Sequence, residues 1–209
     1  MTPNQRIPIG EYGLIGDTRT AALVAPDGSI DWLCLPRFDS PPIFGRLVGG
    51  AEAGYFVIGP DEPATLAGRR YRRDTATLET EWAVDGGRLV LADTMVGEVT
   101  GSMLPETLLV RRITSQGRPI RVRVEFALRF GYDREPARRT RHRNGFLLVE
   151  HGDLAIALTT NSEEQLTPDR PNLLAVGPNR PVTTARLPAT PAGSGPDPTA
   201  TDAFASALL

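Results

Sequence analysis

Residues 20–35 read TAALVAPDGSIDWLCL, and this stretch decides the fold. Two short apolar runs, Thr20 to Val24 and Ile30 to Leu35, flank Pro26-Asp27-Gly28-Ser29. Asp-Gly supplies the positive φ that a tight hairpin turn requires. On the second run, alternation predicts Ile30, Trp32 and Cys34 on one face and Asp31, Leu33 and Leu35 on the other. A strand apolar on both faces is buried, so Asp31 needs a partner.

Working outward, Thr77 to Val84, the turn Asp85-Gly86-Gly87, and Arg88 to Asp93 repeat the pattern. Thr107 to Thr114, the turn Ser115-Gln116-Gly117-Arg118, and Pro119 to Phe130 read as a third hairpin. In its second strand Val122, Val124 and Phe126 alternate with Arg121, Arg123 and Glu125, the pattern of a sheet with one wet face. Arg138 to Arg143, the turn Asn144-Gly145, Phe146 to Glu150, the turn at His151-Gly152-Asp153, and Leu154 to Thr160 continue the series, with a further strand at Leu173 to Val176. Before Asn161 no ten-residue stretch shows a 3.6-residue period. Regularly spaced short strands of this kind predict an all-β fold, an antiparallel β-sandwich. The domain is expected over residues 1–184. Residues 185–209 form a Pro/Ala-rich tail with too little apolar surface to offset its ordering entropy, and it is expected to be disordered; Thr201 to Leu209 is the stretch within it that could form a short terminal helix.

Composition excludes several chemistries. The 23 basic residues are all Arg, so no lysine nucleophile, Schiff base or P-loop lysine exists. Cys34 is the single cysteine, which rules out an intramolecular disulfide or a multi-cysteine zinc site. Net charge is −2, giving no global reason to expect nucleic acid or an anionic membrane. No basic-then-apolar leader opens the chain and no apolar run approaches about 18 residues, so a cytoplasmic location away from membranes is expected. Asp27, Asp31 and Asp39 lack calcium-loop spacing, and His142 and His151 lack a third ligand; neither a metal nor a cofactor is expected. Arg134, Arg138, Arg139, Arg141 and Arg143 form the strongest local charge, but without interleaved aromatics they do not predict a nucleic-acid surface.

The densest block is residues 13–44, GLIGDTRTAALVAPDGSIDWLCLPRFDSPPIF. It resembles the N-terminal β-sandwich domain, of supersandwich type, found in trehalase-like and glucoamylase-like members of glycoside hydrolase family 15. The likeness continues more loosely to about Thr160. It implies an O-glycosyl hydrolase of α,α-trehalase or glucoamylase type, in which the sandwich precedes an (α/α)6 barrel. Both catalytic carboxyls of such an enzyme belong to the barrel, so no catalytic residue is assigned here and the chain alone is expected to be inactive. The abrupt change of texture after Thr184 is the expectation for a chain truncated before that barrel, by a frameshift or an artificial boundary.

The resemblance also implies that the loop after Cys34 faces the barrel and its sugar, making Trp32, Arg37, Phe38 and Asp39 the substrate- or barrel-facing residues. Asp17, Arg19 and Asp31 are their polar supports. An Arg fork and a carboxylate suit vicinal hydroxyls, and an aromatic ring suits the apolar face of a pyranose, as in trehalose or a maltodextrin. The competing reading is intramolecular: Arg37 paired with Asp31 or Asp39, Trp32 in the core and Phe38 as a plug. Free-standing carbohydrate-binding and protein-interaction modules are the alternatives at the level of function.

Overall fold

In the computed structural model the Asp27-Gly28 turn closes as its sequence predicts. Gly28 adopts φ of 80°, its N–H donates to the Ala25 carbonyl, and Asp27 Oδ1 accepts the Ser29 N–H at 3.0 Å. The structure describes residues 7–99, 102–131, 135–136, 139–143, 146–151, 154–162, 166–178 and 182–187.

In chain order the strands are β1 (Gly13–Gly16), β2 (Ala21–Val24), β3 (Ser29–Cys34), β4 (Pro42–Phe44), β5 (Tyr55–Pro60), β6 (Ala64–Tyr71), β7 (Leu78–Val84), β8 (Gly87–Val99), β9 (Ser102–Gln116), β10 (Ile120–Ala127), β11 (Arg129–Phe130), β12 (Glu135–Pro136), β13 (Arg139–Arg143), β14 (Phe146–His151), β15 (Leu154–Thr160), β16 (Asn172–Val176) and β17 (Val182–Leu187), with a one-turn helix α1 (Arg46–Gly49) between β4 and β5. Among the described residues one sheet runs β1-β2-β3-β5-β10-β16, with β4 also on β3; the other runs β13-β14-β15-β17-β9-β8-β7-β6. All pairings in the two sheets are antiparallel.

A single apolar cluster joins the sheets, taking Ile15, Ile30, Phe56 and Phe126 from the first and Trp82, Leu91, Ile113 and Ile156 from the second. The expected antiparallel sandwich is therefore the observed fold.

Two local readings are corrected. The third hairpin does not exist: β9 pairs β8 and β17 in the second sheet, whereas β10 pairs β5 and β16 in the first. Gly117, at φ of 92°, turns the chain from one sheet to the other, and period-2 alternation is the same whether the next strand pairs back or crosses the core. The face assignment on β3 also fails. Val24 lies opposite Ile30 and Leu23 opposite Trp32, so Asp31 is the extra residue of a bulge. Ile30 and Leu33, three positions apart, both enter the core; Trp32 stays half-buried outside it.

The last described strand, β17, lies between β15 and β9 and continues to Leu187, three residues past the boundary expected at Thr184. Residues 188–209, Arg134, Arg138 and the Asn144-Gly145 turn lie outside the described residues.

Across the core sits a group that alternation did not reveal. Asp93 on β8 faces Arg111 on β9, both fully buried, and the Arg111 Nε donates to Asp93 Oδ1 at 2.8 Å. The same guanidinium donates to the Phe56 carbonyl at 2.6 Å and to the Gly28 carbonyl, and lies 4.7 Å from the Phe56 ring centroid. One arginine of the second sheet thus holds two backbone segments of the first.

Candidate functional site

Six of the seven candidate residues divide between two places, while Trp32 lies half-buried on β3 outside the core. Around the loop after β3, Arg37 forms a two-pronged pair with Asp39, 2.9 Å from Nε and 3.2 Å from a terminal nitrogen. That fork holds the Asp39 carboxyl below the usual carboxylate range. Both side chains are exposed, so the pair adds little stability but presets the loop. Backbone contacts fix it further: the Ser40 N–H donates to the Arg37 carbonyl and the Phe38 N–H to the Arg19 carbonyl, each at 3.1 Å. The Phe38 ring is left 69% exposed, so it is not a plug. On the intramolecular reading, Arg37 does pair with Asp39, but Asp31 is occupied elsewhere.

Asp17 and Arg19 stand behind this loop. Asp17, 3% exposed, accepts the N–H groups of Arg19 and Thr20 and the Thr107 hydroxyl of β9, and the Arg19 guanidinium lies 3.6 Å away. The β1–β2 turn is thereby tied to the second sheet, and through the Arg19 carbonyl it carries Phe38.

Asp31 belongs to a second cluster. It accepts the Tyr12 hydroxyl at 2.7 Å, the Ser29 hydroxyl and the Arg46 Nε at 2.7 Å. Its need for a partner is met three times over. Arg46 comes from α1, lies 4.9 Å over the Tyr55 ring, and reaches Asp27 at 3.5 Å. The Tyr55 hydroxyl donates to Glu125, which Arg123 approaches at 3.6 Å. These groups line a groove of about 990 Å³ beside β3 and β5. Tyr12, Arg46, Tyr55 and Glu125 were invisible as a set in the sequence; the one signal was a carboxylate inside an apolar strand.

Asp31 and Glu125 each accept from a tyrosine hydroxyl and lie beside a guanidinium. Burial, then the bond to Glu125, pushes the Tyr55 hydroxyl up to about 12, and burial followed by the bond to Asp31 raises Tyr12 as well. A phenol whose folded pKa exceeds its unfolded value near 10 contributes stability that is complete below about pH 10 and is lost as pH climbs towards about 12. We expect Tyr55→Phe to flatten the alkaline limb of a denaturant-midpoint profile over that window. An unchanged limb would contradict the assignment.

A family model described as the trehalase-like N-terminal domain matches residues 1–169. The chain belongs to this family. A trehalase of Mycolicibacterium smegmatis is 40% identical over 89 residues, covering 43% of this chain and 13% of the relative. A trehalase of Thermoplasma volcanium is 33% identical over 142 residues, 66% of this chain and 22% of its own length. Trehalase 1 of Sulfolobus acidocaldarius is 40% identical over 87 residues, 41% and 15% respectively. The chain thus spans between 13% and 22% of these relatives. Among the described residues of this trehalase-like domain, no helix is long and apolar enough to cross a membrane, and no three His, Cys, Asp or Glu are grouped to hold a metal.

Proposed function

We propose that the chain serves as the non-catalytic N-terminal domain of a trehalase- or glucoamylase-type hydrolase of glycoside hydrolase family 15. It would pack on an (α/α)6 barrel supplied by polypeptide outside these residues and lend the Arg37–Asp39 loop to the barrel's sugar site. The observation that carries this reading is the loop itself. Its backbone is pinned by Arg19 and Ser40 and its ion pair is closed on itself, yet Phe38 is held 69% exposed. An exposed aromatic ring on a loop whose backbone is held by that many contacts is suited to meet a pyranose face or a partner surface. A cytoplasmic location belongs to the same proposal.

The test is sugar release from trehalose and maltose. The chain alone is expected to release none, and adding it to a separately expressed trehalase-type barrel is expected to raise hydrolysis. Phe38→Ala is expected to lose that gain about tenfold or more while changing the stability of the chain by less than about 0.5 kcal/mol, because the ring is exposed. Hydrolysis by the isolated chain, or full stimulation by Phe38→Ala, would overturn the reading. A free-standing carbohydrate-binding or protein-interaction module remains the competing role, and stimulation of a barrel separates it from the proposal.

A further inference from the structure

The groove beside β3 and β5 has no part in the loop's proposed role, yet it is built as a site. Its lining includes a buried carboxylate, Asp31, at 2% exposure, held by the Ser29 hydroxyl. Its rim carries Val48 at 71% and Leu66 at 44% exposure, two large apolar side chains that the fold leaves in water. Its volume of about 990 Å³ is at the upper end of the range for small-molecule sites.

The charges along it are matched. Arg46 serves Asp31 and Asp27, Arg123 lies by Glu125, and Arg118 grips Glu62 at 2.9 Å and 3.0 Å. An anion or a cation entering the groove therefore finds its counter-charge already paired, and gains little from displacing it. What the lining does offer is both signs of hydrogen bond at fixed positions. A guanidinium carries five N–H groups, and Arg46, stacked on Tyr55, keeps donors beyond its contacts to Asp31 and Asp27. Asp27, its side chain 31% exposed, keeps acceptor capacity beside it.

We propose that this groove binds a neutral polyhydroxylated ligand, a saccharide, at a site separate from the Phe38 loop. Vicinal hydroxyls would bridge Arg46 and Asp27, and the apolar face of the ring would lie against Val48 and Leu66. The inference rests on the groove alone and does not need the barrel.

The test is calorimetric or NMR titration of the 209-residue chain with trehalose and with maltose. Saturable binding is expected, with a Kd on the order of 1 mM. Ala64→Trp, which fills the groove from an exposed position of β6, is expected to weaken it about tenfold or more. Asp27→Asn, which keeps the Ser29 acceptor but removes the charge facing Arg46, should weaken it about threefold. Phe38→Ala should leave it unchanged, which separates this result from the fate of the loop proposal. Should Ala64→Trp fail to fold, Val48→Glu on the exposed rim replaces it, with the same expected loss. No saturation by about 50 mM sugar would overturn the proposal. So would undiminished binding in the groove-filling variant, loss in Phe38→Ala, or tighter binding of inorganic phosphate or an alkylamine.

Discussion

Arg111→Met is expected to lose about 3–5 kcal/mol of folding stability, because it breaks an ion pair whose two side chains are both fully buried. The reason is the surroundings of Asp93, which is fully buried and receives the Arg111 fork through two nitrogens, at 2.8 Å and 3.3 Å. Without the guanidinium a carboxylate would be stranded between the sheets, and the Phe56 and Gly28 carbonyls would lose a charged donor. Adding Asp93→Leu removes the stranded charge and should return part of the loss. It does not replace the donor to the two carbonyls, so the double variant is expected to stay at least about 1 kcal/mol below the parent. Urea denaturation of the four proteins of this cycle gives the answer. A loss below about 1 kcal/mol for Arg111→Met would show that the pair is not holding the sandwich closed.

Gly28→Ala is expected to be worse tolerated than its small size suggests, with a loss of about 4 kcal/mol or no soluble protein. Gly28 sits at φ of 80°, and a Cβ there would lie 2.1 Å from the Ile58 carbonyl oxygen and 3.1 Å from the Trp82 ring. The oxygen belongs to the backbone of β5, so it cannot swing aside, and Arg111 grips the Gly28 carbonyl from below. Gly50 separates the two effects. Its φ of 74° is similar, but nothing lies within 4 Å of its Cβ position, so Gly50→Ala should lose only about 1–2 kcal/mol. Equal losses at the two sites would mean that backbone preference, rather than the close approach to β5, governs the turn.

Both variants concern the turn from which the sequence was first read, and they mark how far that reading reached. Asp27-Gly28 announced a hairpin because its chemistry is local: a side chain caps its own turn and a glycine supplies the φ. Val122, Val124 and Phe126 announced a buried face because strand alternation is local too. The partner of a strand is not local. The connection after β9 looked like a hairpin and proved to be a crossing between sheets, since nothing in residues 115–119 distinguishes the two. The bulge at Asp31 was equally hidden, and with it the inward turn of Leu33 and the outward place of Trp32.

The candidate site was legible in the same uneven way. The block around Phe38 was recognisable as a motif, and its Arg37–Asp39 pair lies two residues apart, within reach of sequence reasoning. The groove draws on Tyr12, Asp31, Arg46, Tyr55 and Glu125, the last of them 70 positions beyond the tyrosine that bonds it. Only the isolated carboxylate on β3 hinted that such a set existed. Asp93 and Arg111 gave less warning still: each stands in an apolar strand with its partner on the neighbouring one, and only the register of β8 on β9 brings them face to face.

The position of β17 bears on how the molecule is made. The final described strand is inserted between β15 and β9 rather than added at an edge. During synthesis β13, β14 and β15 therefore emerge with no interior strand to join them to the rest of their layer. A nascent chain shorter than residue 187 must hold that gap open, exposing two unpaired borders to the cellular surroundings until the ribosome delivers the wedge that closes it.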